Sequence, residues 1–106
     1  MGDLLKTTLN NVTNAEVTVC TGASVASTVL SVTICNEESA DDGTFTMQVK
    51  DDGSGTGYLI YNDQSLPSLS TFEHSEKIVL LPNDTLVVSS SSGQDFDVIV
   101  SYLEQT

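Results

Sequence analysis

The sequence predicts an all-β protein: a single antiparallel β-sandwich or jelly roll of about eight short strands, with an extended N-terminal arm. Three observations carry this. Thr, Val, Ser and Leu dominate, residue types that suit a pleated, half-buried surface, and no stretch repeats its apolar residues at helical spacing. Several runs alternate apolar and polar residues with a period of two, as in residues 16–20, 44–50 and 96–103. Clusters of Gly, Asn, Asp, Pro and Ser separate those runs. At 106 residues the chain is long enough for one core and one domain.

Residues 1–15 read as the arm or a first edge strand, because Thr-Thr and Asn-Asn pairs are poor helix formers. Leu4, Leu5, Leu9 and Val12 are its large apolar residues and the candidate anchors for a partner. Residues 16–106 form the sandwich. Val17 and Val19 point inward from its first strand, and Thr21-Gly22-Ala23 turns the chain. Residues 24–35 are too long for one flat strand, so a kink or bulge is expected near residues 26–28, with Leu30, Val32 and Ile34 on one face. An acidic loop ends in Asp41-Asp42-Gly43, and the next strand turns Phe45, Met47 and Val49 inward. The loop 51–57 leads to a short strand at 58–61, which Asn62 to Ser65 leave. Residues 71–73 and 77–80 form further strands around a turn at His74-Ser75-Glu76.

The C-terminal part is expected to close the fold as a hairpin. A strand ending at Leu80 meets the turn Leu81-Pro82-Asn83-Asp84, then come a strand at 85–90, a Ser/Gly loop at 89–95 and a last strand at 96–103. Phe96, Val98, Val100 and Tyr102 point inward, with Leu86 or Val88 as cross-strand partners; Asp97, Ile99, Ser101 and Leu103 point the other way.

Three lysines, no arginine and fifteen acidic residues leave a net charge of −12. Such a surface repels phosphates, which argues against nucleic acid and anionic membrane as partners. It reads first as a solvated acidic surface, and second as a field that steers the chain towards a basic partner. No run has the length of a membrane span, and the polar start lacks a secretory h-region. Assembly in a reducing cytoplasm is therefore expected, with Cys20 and Cys35 as free, largely buried thiols.

Reactive constellations are sparse, so no enzymatic activity and no cofactor are expected. His74 is the only histidine and reads as a solvated turn residue beside Glu73 and Glu76. No Gly-x-Ser-x-Gly elbow occurs, and residues 53–57 contain no basic residue to cradle a phosphate. Two cysteines and one histidine are too few for a structural zinc. The turns Asp41-Asp42-Gly43 and Asp51-Asp52-Gly53 offer hard oxygen ligands for calcium, but a whole strand separates them, so each reads as a plain turn. Tyr58 and Tyr61 are the candidates for a sugar-binding platform.

The segment Leu80-Leu81-Pro82-Asn83-Asp84-Thr85-Leu86-Val87-Val88-Ser89, followed by Val98-Ile99-Val100-Ser101-Tyr102-Leu103-Glu104, resembles the closing strands of small virion proteins of tailed bacteriophages. Val17-Thr18-Val19-Cys20-Thr21-Gly22, running into residues 25–36, resembles that family's opening hairpin. Asn83 stands where the family more often has Gly, and the Pro that commonly precedes the first turn is absent. The resemblance implies a β-sandwich structural subunit of the phage particle. Within that class the expectation is a capsid decoration (cement) protein on the outer surface of the head. It would bind the major capsid protein or other virion proteins and act as a homo-oligomer, with a trimer favoured. A tail, neck or fibre-associated component is the alternative within the virion; a host-surface glycan-binding module is the alternative outside that class.

Overall fold

The computed structural model describes residues 4–13, 15–22, 25–51, 56–90 and 94–105. Nine strands follow one another: β1 (Leu4–Val12), β2 (Val17–Thr21), β3 (Ser27–Asn36), β4 (Gly43–Lys50), β5 (Gly57–Leu66), β6 (Thr71–His74), β7 (Ile78–Leu80), β8 (Thr85–Ser90) and β9 (Phe96–Glu104). They build two antiparallel sheets packed face to face. One has the order β1-β9-β3-β6, with β7 also pairing β3; the other has the order β2-β8-β4-β5. Along β3, β7 pairs residues 27–29 and β6 pairs residues 32–35, so the two act as one interrupted edge strand.

The core lies between the sheets. Val29, Val32, Ile34, Phe96, Val98 and Val100 of one sheet meet Val19, Phe45, Met47, Leu66, Leu86 and Val88 of the other, all of them buried. β9 and the first half of β4 supply every second residue, as a period of two requires when one face is dry and the other wet. The alternation read in the last strand is present: Phe96, Val98 and Val100 are fully buried, and Tyr102 packs against the core.

The expected C-terminal hairpin does not form. β7 pairs with β3, β8 with β2 and β4, and β9 with β1 and β3, so β8 and β9 belong to opposite sheets. Leu86 and Val88 face Val98 and Val100 through the core instead of standing beside them in a ladder. The opening pair likewise divides, β2 into one sheet and β3 into the other. Strand and turn signals are local, whereas the choice of ladder partner depends on which apolar faces must be closed together. The turn at Leu81–Asp84 therefore carries the chain across the edge of the sandwich. It is held there by Gly22 N donating to Asp84 O at 2.9 Å, with Asn83 N donating back to Gly22 O. Asn83 sits at φ 73°, a left-handed conformation that Asn tolerates.

Bulges account for the remaining differences. In β3 the register shifts between Val29 and Ser31, slightly beyond the expected kink, so Leu30 is the extra residue and Val29, not Leu30, is buried. A shift between Thr18 and Cys20 buries Cys20 beside Val19. β5 does not stop at Tyr61: it continues to Leu66, with one register shift on either side of Tyr61, Asp63 at φ 51° and its N–H donating to Thr46 Oγ1. Residues 23, 52–55 and 91–93, which carry parts of three expected turns, lie outside the described residues.

Candidate functional site

β1 pairs with β9 in unbroken register from Leu4↔Glu104 to Val12↔Phe96 and forms the edge of its sheet. Period two divides its residues. Thr8, Asn10 and Val12 turn towards the sandwich, where Thr8 Oγ1 donates to Val19 O at 2.6 Å and Val12 is fully buried. Leu5 and Leu9 turn outward and are 72% and 74% exposed. Leu4, at the open end of the strand, is also exposed. The sequence grouped Leu4, Leu5, Leu9 and Val12 as anchors. The structure brings the first three to the surface and commits Val12 to the core, where no partner can reach it.

The outward residues of β9 extend this surface. Leu9 stands beside exposed Ile99, and Leu5 beside half-buried Leu103, so the two strands share a strip of two apolar pairs with the polar pair Thr7 and Ser101 between them. A shallow groove lined by Leu9, Asn10, Asn11, Asp97, Val98 and Ile99 lies at its Val12 end. The signal for Ile99 and Leu103 was present in the alternation of the last strand. It took on meaning only once β1 was placed beside β9.

Carboxylates border the groove. Asn11 Nδ2 is shared among Asp97 Oδ1 at 3.0 Å, Glu37 Oε2 at 3.2 Å and Asp95 Oδ1. An amide has two N–H donors, so it cannot fully satisfy three carboxylates. A hydrogen bond with Asp97, then desolvation and the charges of Asp97, Asp95 and Glu38, hold the Glu37 carboxyl above its ordinary pKa. Sequence reading had no means of finding this cluster, since Asn11 and Asp97 are 86 residues apart. At the other end of β1, Glu104 is engaged by Lys6 at 3.0 Å. Among the described residues, unbalanced negative charge thus flanks the strip at its Val12 end.

The other candidates fall elsewhere. His74 is not a solvated turn residue: it ends β6, is half-buried, and its Nδ1 lies 2.8 Å from Tyr61 Oη. Its ring stands edge-on to Tyr61, which in turn packs against Phe45 and Phe72. The Nε2 atom is buried with no hydrogen-bond partner among the described residues. The hydroxyl hydrogen-bonded to this ring, that of Tyr61, belongs to a side chain that packs on the core, and among the described residues no Ser, Thr or Cys is bonded to it. Tyr61 therefore cannot join exposed Tyr58 in a sugar platform. Asp42 Oδ1 accepts the N–H of Ser68 at 2.9 Å, a structural role for that turn. Among the described residues, no group of three or more His, Cys, Asp or Glu is placed to hold a metal ion. Cys20 and Cys35 are free thiols on strands of opposite sheets.

No family model and no curated protein matches the chain. Solved structures do share its fold. The acid-stable capsid of the Helicobacter pylori bacteriophage KHP30 aligns at 13% identity over 95% of this chain and 86% of that one, with a TM-score of 0.55. A pentameric capsid protein isolated from metagenomic phage sequences aligns at 16% identity over 93% of this chain, with a TM-score of 0.51, and the present chain spans 61% of its length. Eiger TNF from S. frugiperda aligns at 10% identity over 98% and 93% of the two chains, with a TM-score of 0.60. At such identities the likeness is one of fold: these two-sheet sandwiches serve in particle shells and elsewhere.

Proposed function

We propose that this protein is a non-enzymatic structural subunit of a phage virion, a decoration (cement) protein that braces the head by binding between capsid subunits. The observation that carries the reading is the outward apolar strip on β1 and β9, where Leu5 and Leu9 are left largely exposed by the chain's own fold. Exposed apolar surface of this kind marks a contact with another protein. Three further points support it. We read the strand orders β1-β9-β3-β6 and β2-β8-β4-β5 of this β-sandwich as a jelly roll, an architecture found in viral capsid domains. Two phage capsid proteins share the fold. The net charge of −12 suits the outside of a particle, away from packaged nucleic acid.

In this reading Leu4, Leu5 and Leu9 contact the major capsid protein or another virion protein. The protein acts as a homo-oligomer, with a trimer favoured, whose weak contacts add up over the repeating lattice. The direct test compares heads with and without the protein under heat and osmotic challenge, then adds back the purified wild type or the Leu5→Ser/Leu9→Ser double variant. Wild type is expected to restore robustness, and the variant to bind at least tenfold more weakly. Heads equally robust without the protein would overturn the cement reading. Localisation to purified tails would then favour a tail, neck or fibre role, and loss of host attachment alone would favour the surface-binding one.

A further inference from the structure

Edges of sheets invite pairing with other strands, and folded proteins blunt them by shortness, bulges or local kinks. Three of the four edges here are blunted. β2 has five residues and a bulge. β5 is interrupted by two register shifts and the left-handed Asp63. The opposite edge of the first sheet is split into β6, with four residues, and β7, with three. β1 differs in length and regularity: nine residues in one unbroken register with β9, and its one charged side chain, Lys6, is drawn to Glu104. Among the described residues, no strand pairs with its outer side.

We propose that the outer edge of β1 is a strand-addition site that takes an extended segment of a partner protein, alternately apolar and basic at its N-terminal end. The inference rests on the reading of β1 as the partner-binding strand and specifies what it binds. Main-chain hydrogen bonds along the edge supply affinity, and side chains at every second position supply specificity. Leu5 and Leu9 present apolar surface on the outward face, so the added strand needs apolar residues at the same period. Charge sets which of its ends is basic. Asp95 and Asp97 lie beside the Val12 end, while Glu104 at the Leu4 end is already paired with Lys6. An antiparallel guest therefore brings its N-terminus to the acidic end, where Lys or Arg side chains complement it. A second copy is a poor guest, because the only cation in its β1 is Lys6, already in an ion pair, and both copies carry −12.

The test uses the full-length protein labelled with nitrogen-15. The probe is a synthetic nine-residue peptide alternating valine and threonine, with two lysines at its N-terminus. Matched peptides carry two glutamates there, or the lysines at the C-terminus. The lysine-led peptide is expected to bind saturably, to slow amide exchange in β1 at least tenfold, and to bind at least tenfold tighter than the glutamate-led one. The preference is expected to shrink several-fold in the Asp95→Asn/Asp97→Asn variant. No added protection of β1, or equal binding of lysine- and glutamate-led peptides, would overturn the proposal. So would a concentration-dependent dimer whose β1 amides are protected without peptide. If the peptide fails while the protein still binds heads through Leu5 and Leu9, strand addition falls and the cement reading stands. If the peptide binds and heads are not bound, the cement reading falls alone.

Discussion

Asn36 is the residue on which the far end of the sandwich most depends, and its removal has a cost that can be worked from the structure. It is fully buried at the end of β3. Its Nδ2 donates to Leu66 O at 3.0 Å and Asp41 O at 3.2 Å, and its Oδ1 accepts the N–H of Glu38 at 2.8 Å. One side chain thus ties the end of β3 to the 37–42 loop and to the end of β5. Each such bond contributes roughly 1 kcal/mol net, so Asn36→Ala loses about 3 kcal/mol, with the carbonyl of Leu66 left buried and unpaired. Unfolding entropy of about 2.1 cal/mol/K per residue gives roughly 0.22 kcal/mol/K for a chain of this length, so Tm should fall by about 13 °C. Circular dichroism during thermal and urea unfolding measures both quantities. Asn36→Asp keeps the acceptor for Glu38 but points a carboxylate at two carbonyls, and should be no more stable than Asn36→Ala at neutral pH. A Tm loss below about 4 °C for Asn36→Ala, equivalent to under about 1 kcal/mol, would refute the assignment of Asn36 as the tie.

Other consequences are as open to measurement. A Cβ on Gly22 would meet the backbone carbonyl oxygens of Leu81 and Leu80, which no rotamer change can relieve. Gly22→Ala should therefore cost about 1–3 kcal/mol, read as a drop in urea midpoint, and an unchanged midpoint would exclude the tight approach. Burial pushes the Cys20 thiol up to about 11. Native protein at about pH 8 should thus be alkylated at Cys20 only as fast as it unfolds, as mass spectrometry of Cys35→Ser protein would show; prompt labelling would contradict the burial. Glu37 has a folded-state pKa above its unfolded one, with the Asp97 hydrogen bond as the leading cause. Its proton is held more tightly in the fold, so its contribution is present at low pH and is lost as pH rises through the folded value. Asp97→Asn should make Tm fall less between about pH 4 and about pH 7 than in wild type, and parallel profiles would contradict the coupling.

Much of the strand content was readable because its cause is local. Alternation in residues 44–50 and 96–103 placed Phe45, Met47, Phe96, Val98 and Val100 in the core, where they lie. The same rule misplaced Leu30 and Val29, since one bulge residue reverses the faces of everything beyond it. His74 was misread because Glu73 and Glu76 make its neighbourhood polar in sequence, while Tyr61, thirteen positions away, supplies the contact that half-buries it.

Composition marked Leu4, Leu5, Leu9 and Val12 as the large apolar residues of the first segment, but could not separate the three that lie exposed from Val12, whose burial depends on the opposite sheet. By itself the sequence determined an acidic, all-β chain and most inward residues, because charge and period two need no partner. Tertiary structure alone decided that β8 and β9 part company into different sheets and that β1 lies along β9 as an unblunted edge. It also gathered Glu37, Asp95 and Asp97 around Asn11. These are contacts between residues 26 to 86 positions apart, and they are chosen by the closure of two apolar faces upon each other, a quantity no local stretch contains.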